Sequence, residues 1–127
     1  NSDILTNIDY EDFFMEFVSQ DADMAVATIP YKVDIPYAVL ETSQNLVIDL
    51  KEKPTYTYYS NAGIYLIKKD LIKLIPTNSF FNATDLMELL IKSGKKLISY
   101  PLHSYWLDIG KHNDFEKAQE DIKHIKF

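Results

Sequence analysis

The apolar residues of this chain fall into short β-branched runs that alternate with segments of helical spacing, which limits the folds open to it. Residues 24–31 form one such run, and Phe13, Phe14, Phe17 and Val18 lie on one face of a helical segment before it. Alternating strands and helices are typical of an α/β domain. The length of 127 residues suits one domain and leaves little room for two.

Capping residues at the ends of these runs set the predicted element boundaries. Strands are predicted at residues 24–31, 38–41, 46–50, 62–68, 96–101 and 105–109, and helices at residues 10–20, 70–75, 85–93 and from 113 onward. Asp9 and Thr84 are predicted N-caps, and Gly94 is predicted to end the third helix. Asn113 and Glu116 have capping-box spacing before the last helix. One face of that helix is predicted to carry Phe115, Ala118, Gln119, Ile122 and Ile125.

Composition excludes several functional classes. The chain has no cysteine, which excludes disulfides and thiolate metal sites and favours a cytoplasmic location. Its net charge is −6 and its basic residues form no stripe, so nucleic-acid binding is disfavoured. No apolar run approaches the ~20 residues of a membrane span, and no signal-peptide pattern is present at the start. We therefore expect neither a nucleic acid nor a membrane as partner.

A few polar positions are candidates for chemistry. Asp3 is predicted to follow a strand end, where open α/β sheets bind ligands, although a turn-forming role would also account for it. Asp108 lies in an aromatic and apolar patch closed by Gly110, where we expect a tight turn. Glu52 and Lys53 end a predicted strand, where the residues alone favour a solvated turn over a functional site. The three histidines lack metal-ligand spacing, and no Gly-rich phosphate loop occurs.

Five short motifs, taken in chain order, resemble those of the sugar-1-phosphate nucleotidyltransferases, a family that includes mannose-1-phosphate guanylyltransferases and glucose-1-phosphate thymidylyltransferases. They are Asn-Ser-Asp at 1–3, Pro-Tyr-Ala-Val at 36–39, Glu-Lys-Pro at 52–54, Asn-Ala-Gly-Ile-Tyr at 61–65 and Trp-Leu-Asp-Ile-Gly at 106–110. The resemblance implies a partial Rossmann-like (GT-A-like) α/β/α nucleotidyltransferase domain with a mixed sheet. Residues 1–127 would be its C-terminal, sugar-phosphate acceptor part, with the N-terminal nucleotide-binding half absent.

The resemblance also implies roles for individual residues. Asp3 and Asp108 would be catalytic residues that hold Mg²⁺, and Lys53 would be catalytic through its contact with the sugar-bound phosphate. These roles suit the residue types, because Mg²⁺ prefers carboxylate and phosphate oxygens and a lysine ammonium is a compact positive charge.

The sugar site implied by the resemblance involves four further positions. Glu52 would accept hydrogen bonds from sugar hydroxyls, and Asn61 and Tyr65 would line the site. Ala38 replaces a glycine that is usual in the family, whose backbone N–H meets the sugar. The alanine keeps that N–H but adds a methyl group, which puts the fit of the sugar in question at this position.

The activity implied is transfer of a nucleoside monophosphate from a nucleoside triphosphate to a sugar 1-phosphate, as used in polysaccharide biosynthesis. Because the family's Gly-rich start is not in this chain, we expect residues 1–127 alone to be inactive. An unpaired sheet edge would favour pairing with a second copy. Two alternatives are a GT-A-type glycosyltransferase, which usually presents two acids where residues 1–3 present one, and a non-catalytic, nucleotide-sugar-binding regulatory relative. A third is an α/β scaffold without a site.

Overall fold

The computed structural model describes residues 3–127, and the α/β class predicted from the sequence is confirmed. The strands are β1 (Ile4–Thr6), β2 (Met24–Asp34), β3 (Val39–Ser43), β4 (Leu46–Lys51), β5 (Thr55–Ile67), β6 (Leu97–Pro101) and β7 (Trp106–Asp108). The helices are α1 (Tyr10–Ser19), α2 (Ala83–Lys92) and α3 (His112–Asp121), with a 3₁₀ segment at Lys69–Leu74. Asn1 and Ser2 of the first motif lie outside the described residues. Within residues 3–127, no helix is long and apolar enough to span a membrane.

The chain divides into two compact units, one formed by Asn1–Ile29 with Asn61–Phe127 and the other by Pro30–Ser60. In the first, β2 is the middle strand of a three-stranded sheet of order β5-β2-β6. β2 and β6 run parallel, with Met24 opposite Leu97. The first five residues of β2 are all buried, as expected for a strand covered on both faces.

The alternation of side chains along β2 creates two cores in the first unit. Ala25 and Ala27 pack in one cluster with Phe13 and Phe17 of α1. Met24 packs in the other cluster with Leu86 and Leu90 of α2, among others. Successive strand residues point to opposite faces, so the two helices lie on opposite sides of the sheet. This is the α/β/α layering implied by the family resemblance.

Two predicted helix faces are narrower in the structure than the sequence indicated. On α1, Phe13 and Phe17 are buried, but Phe14 and Val18 are more than half exposed, because each lies one residue further along and so about 100° further round the helix, away from the sheet. α3 ends at Asp121, so Ile122 and Ile125 lie beyond the helix, and Ala118 is the buried member of its predicted apolar face.

Of the two predicted N-caps, Asp9 is confirmed and Thr84 is wrong. Asp9 caps α1 as predicted, its Oδ1 accepting the Asp12 N–H at 3.0 Å. α2 begins at Ala83, so its N-cap is Asn82 rather than Thr84. There the Asn82 N–H donates to Asp85 Oδ2 at 2.8 Å, because a carboxylate in the first turn reaches back to the N-cap backbone.

The predicted start of α3 is also wrong, by one to two residues. The helix begins at His112 rather than Asn113, and the Lys111 N–H donates to Asp114 Oδ2 at 3.1 Å. Glu116, the predicted capping-box partner, instead lies 3.3 Å from the His112 ring on the helix surface.

The second unit, Pro30–Ser60, contains the predicted hairpin. β3 and β4 pair antiparallel, with Leu40 opposite Leu50, and the predicted four-residue turn is reduced to Gln44 and Asn45. Both turn residues have positive φ, 49° and 67°, which is the geometry of a type I′ hairpin turn.

Gly94 and Gly110 differ in their backbone requirements and provide a matched pair for a stability test. Gly94 follows α2 with φ +70°, and a Cβ added to it would meet no atom within 4 Å. Gly110 does not have a positive φ, and a Cβ would lie 3.9 Å from Asp108 Oδ2, an ordinary contact. The tight turn predicted there is wrong, because residues 109 and 110 form no turn.

Gly94→Ala is expected to lower the free energy of unfolding by about 1 kcal/mol, since a side chain is strained in the left-handed region. Gly110→Ala is expected to change it by less than about 0.5 kcal/mol, a typical surface effect. Urea unfolding of both variants measures the difference. Equal effects at the two positions would contradict the assignment of Gly94 as a conformationally required C-terminal glycine.

Candidate functional site

The antiparallel pairing of β1 with β7 brings residues from near the two ends of the chain together. Ile4 lies opposite Asp108 and Thr6 opposite Trp106. Beyond the last pair, the Ile109 N–H donates to the Asp3 carbonyl at 2.7 Å. Asp3 therefore comes directly before β1. The residues ahead of it lie outside the described part of the chain, so its placement after a strand end stays a prediction. Its backbone forms a bend, so its side chain is not bound to the strand alternation.

An open cleft of about 230 Å³ lies at this end of the strand pair. It is lined by Asp3, Ile4, Asn61, Ala62, Gly63, Tyr65, Trp106 and Asp108. All of these residues belong to the first unit. The structure thus brings together four residues singled out from the sequence, which are Asp3, Asn61, Tyr65 and Asp108.

The wall formed by β5 is held in a specific shape by side-chain hydrogen bonds. Asn61 Oδ1 accepts the Gly63 N–H at 2.8 Å, and Asn61 Nδ2 donates to Tyr65 Oη at 2.8 Å. Gly63 has φ +78°, a conformation that glycine adopts without strain. The strand is therefore kinked at Gly63, with the side chains on either side of the kink joined to each other.

Trp106 ties β7 to β5 and was not among the residues predicted for the site. Its indole Nε1 donates to the carbonyl of Ala62 at 2.9 Å, and Ala62 is fully buried. This bond connects the strand that carries Asp108 to the strand that carries Asn61 and Tyr65. A signal was present in the sequence, since Trp106 is the chain's one tryptophan and lies two residues before Asp108.

Tyr105, the residue directly before β7, links that strand to Asn7 and to α3. Its backbone N–H donates to Asn7 Oδ1 at 2.7 Å, and its hydroxyl donates to Asp121 Oδ2 on α3. Desolvation by burial and the bond to Asp121 raise the pKa of Tyr105 to about 12. Lys117, at 2.7 Å, and Tyr105 lower the pKa of Asp121 below its usual range. These contacts fix α3 against the strand that carries Asp108.

The other predicted site residues lie in the second unit. Ala38 comes immediately before β3, and Glu52 and Lys53 come immediately after β4. All three are exposed, and Lys53 has φ +42°. A cleft of about 360 Å³ on the hairpin is larger than the one beside Asp108, but none of the predicted site residues line it. The sugar-binding roles of these three residues stay predictions.

The acidic residues of the cleft are the candidate metal ligands. In the part of the chain that the structure describes, no three or more His, Cys, Asp or Glu side chains form a group arranged to hold a metal. Asp3 and Asp108 therefore offer two carboxylates, which matches the one or two that Mg²⁺ commonly takes from a protein when substrate phosphates supply further oxygens.

A family comparison identifies the class of protein to which the chain belongs. The model of the nucleotidyl transferase family matches residues 1–125. This chain belongs to the nucleotidyl transferase family.

Individual proteins are similar to the chain in sequence or in fold. The chain is 30% identical over 135 residues to a glucose-1-phosphate adenylyltransferase of Clostridium perfringens, covering 96% of this chain and 34% of that protein. It is 25% identical to the structure of HddC from Yersinia pseudotuberculosis, with a TM-score of 0.62, covering 96% of this chain and 53% of the other. A Bacillus anthracis structure described as a glucose-1-phosphate thymidylyltransferase has a TM-score of 0.66 at 24% identity, with coverage of 98% and 53%.

These coverage values mean that the chain spans about a third of the curated relatives it matches and about half of the solved structures. The fold prediction of a partial nucleotidyltransferase domain is confirmed by them.

Trp106→Phe is expected to lower the free energy of unfolding by about 1–2 kcal/mol, because it leaves the buried Ala62 carbonyl without its donor. Tyr10→Phe, which removes a hydroxyl from an exposed ring on α1, is the control and is expected to have little effect. Chemical unfolding measures both. A Trp106→Phe variant as stable as the control would show that the indole bond does not hold β7 to β5.

The lowered pKa of Asp121 makes a prediction about acid stability. A carboxyl group whose pKa is lower in the folded than in the unfolded state stabilises the fold at pH values above its ordinary 3.8. That contribution is lost as the pH falls through the folded pKa. Wild type should therefore be more stable than Asp121→Asn at neutral pH, with the difference shrinking below about pH 4. Melting temperatures across this range measure it, and a difference that does not change with pH would contradict the assignment.

Proposed function

We propose that the complete protein transfers a nucleoside monophosphate from a nucleoside triphosphate to a sugar 1-phosphate, releasing pyrophosphate, and that residues 1–127 are the sugar-phosphate acceptor part of its domain. The observation that carries the proposal is the cleft in which Asp3 and Asp108 lie with Asn61 and Tyr65. Family membership over residues 1–125 supports the same chemistry.

The donor set of the cleft fits a hard divalent cation. Asp3 and Asp108 are both exposed, so their oxygens are accessible to an ion and to substrate. Mg²⁺ bound by these two residues would neutralise charge between the two anionic substrates. The contribution of the protein is to hold the two carboxylates at one end of a strand pair that is tied on one side to α3 and on the other to β5.

Further residues are proposed to take part in recognition of the acceptor substrate. In the cleft, Asn61 and Tyr65 offer amide and hydroxyl groups to a polar ligand. Glu52 would accept hydrogen bonds from vicinal sugar hydroxyls, and Lys53 would pair with the sugar-bound phosphate. Ala38 would offer its backbone N–H, with its methyl group limiting which sugars fit.

A hexose 1-phosphate is the substrate we favour within this class. The support is the 30% identity to an adenylyltransferase named for glucose 1-phosphate. Phosphoryl-type transfer needs mainly positioning and charge neutralisation from a protein, so an acidic chain with few lysines near the site is adequate. The proposed setting is nucleotide-sugar synthesis for polysaccharides in the cytoplasm.

The test is an assay of the complete protein with Mg²⁺, a panel of nucleoside triphosphates and hexose 1-phosphates, with pyrophosphate measured as product. Asp3→Asn and Asp108→Asn are each expected to lower kcat by about a hundredfold or more, the loss expected when a metal ligand of a charge-stabilising site is removed. Asp70→Asn, at an exposed carboxylate on the 3₁₀ segment, is the matched control and should retain activity.

Several outcomes would overturn the proposal. Release of nucleoside diphosphate instead of pyrophosphate would indicate a glycosyltransferase. Binding of a nucleotide-sugar without any turnover would indicate a regulatory relative. Residues 1–127 assayed alone are expected to release no pyrophosphate, and appreciable release would show that the acceptor part does not need the rest of the domain.

A further inference from the structure

The register of the β1–β7 pair decides on which face of the pair Asp108 lies. In the observed register, Trp106 and Asp108 line the cleft together with Asp3. Leu5 and Ile109 instead border a separate cavity of about 210 Å³ on the side of α3. Because side chains alternate along a strand, a slip of one residue would turn the Asp108 side chain away from the cleft and from Asp3.

The two strands by themselves specify this register weakly. β1 reads Ile-Leu-Thr and β7 reads Trp-Leu-Asp, so each has large apolar side chains at two adjacent positions, and all 3 residues of β1 are half-buried. A register is strongly specified where one face is buried and the other is exposed, which is not the case here. Main-chain donors and acceptors are the same at every residue, so the backbone bonds of the pair could also form in a shifted register. The register must therefore be set by side chains at the ends of the pair.

Asn7 makes a side-chain contact of this kind. It lies opposite Tyr105, one step beyond the last pair of β1 and β7, and its backbone N–H donates to the Tyr105 carbonyl at 3.3 Å. The Tyr105 N–H donates in return to the side-chain Oδ1 of Asn7 at 2.7 Å. In a regular antiparallel ladder this acceptor would be a main-chain carbonyl. The Asn7 amide therefore takes the place of a backbone group at the last step of the ladder.

Asn7 and Tyr105 are also anchored to the same part of the chain, the end of α3 and the residues after it. The Tyr105 hydroxyl donates to Asp121, and its ring meets the Phe127 ring edge-on with centroids 5.8 Å apart. Asn7 Nδ2 donates to the Lys126 carbonyl at 3.2 Å. This amide orientation satisfies both partners, because the Tyr105 N–H can only donate and the Lys126 carbonyl can only accept. A slip of β1 against β7 would break the bond between two residues that are each tied to this segment.

We propose that Asn7 is a positioning residue for the candidate metal site: its side chain sets the register of the β1–β7 pair and thereby keeps Asp108 on the face of the cleft, beside Asp3. Asn7 does not line the cleft, so it acts through the strands and not on substrate or metal. Its Oδ1 sets the register, and its Nδ2 supports the C-terminal segment. The inference rests on the proposed function and deepens it, because it names a residue that arranges the two carboxylates.

Variants of Asn7 in the complete protein separate its two side-chain bonds. Asn7→Asp keeps an oxygen acceptor for the Tyr105 N–H and loses the donor to Lys126, so kcat should stay within about threefold of wild type. Asn7→Ala loses both bonds, and kcat should fall about tenfold or more, as for other residues that orient metal ligands. The KM for hexose 1-phosphate should change little in either variant, because Asn61 and Tyr65 belong to β5.

Binding of Mn²⁺ alone gives a readout that does not depend on turnover. Mn²⁺ also suits carboxylate ligands, and the electron paramagnetic resonance signal of the free ion falls as it binds. Asp108→Asn defines the background from other acidic residues. Above that background, Asn7→Ala should weaken Mn²⁺ binding about tenfold or more, and Asn7→Asp should leave it close to wild type. Asn113→Ala and Asn113→Asp, at an exposed position of α3 outside the cleft, are the matched controls for truncation and for added charge.

A third control separates the register from general loss of stability. Gly94→Ala, at the end of α2 and outside the cleft, should lower the melting temperature while Mn²⁺ affinity and kcat stay within about threefold of wild type. All assays are run below the melting temperature of each variant. If Gly94→Ala and Asn7→Ala lost Mn²⁺ affinity in proportion to their loss of melting temperature, Asn7 would have a structural role only and the inference would be overturned.

Two further results would contradict the inference. Asn7→Ala with the Mn²⁺ affinity of wild type would show that the side chain does not arrange the carboxylates. Asn7→Asp as impaired as Asn7→Ala would show that the bond to Lys126, and not the bond to Tyr105, is the one that matters. A wild-type protein that binds Mn²⁺ but releases no pyrophosphate is a different failure. It would remove the proposed activity, and the Mn²⁺ affinities of the Asn7 variants would still decide the role of Asn7.

Discussion

The pairing of β1 with β7 is the contact on which the candidate site depends. It joins two three-residue strands from opposite ends of the chain, and without it Asp3 and Asp108 would have no common surface. A strand pair this short is weak by itself. It is stabilised by the bonds around Tyr105 on one side and by the Trp106 bond to β5 on the other. The positions of the Asp3 and Asp108 carboxylates therefore depend on these flanking contacts.

The sequence was informative where structure is decided locally. The spacing of Phe13 and Phe17, the apolar run that became β2 and the polar turn of the hairpin each determine an element from neighbouring residues. Predictions failed where two nearby residues compete, as Asn82 and Thr84 do for the start of α2. The turn predicted at Gly110 also failed, because the neighbouring Ile109 N–H is bonded to the Asp3 carbonyl, a contact between residues far apart in the sequence.

The candidate site shows the same division. Motif order was sufficient to nominate four residues that the structure places in one cleft. It could not show that Asn61 bonds to Tyr65, since that contact depends on the φ of Gly63 rather than on residue type. The link from Trp106 to Ala62 is likewise a contact between strands that the motifs keep separate. Glu52, Lys53 and Ala38 lie outside this cleft, and their roles are predictions from residue chemistry and family resemblance.

Trp106 has a practical consequence beyond its structural part. It is the chain's one tryptophan, and its half-buried ring borders the cleft. The emission of an indole responds to the polarity and hydrogen bonding around it, so the tryptophan fluorescence of this chain, excited apart from its nine tyrosines, comes from a single, known place. The molecule thus carries a built-in optical probe beside Asp108, and filling of the cleft can be followed without attaching any dye.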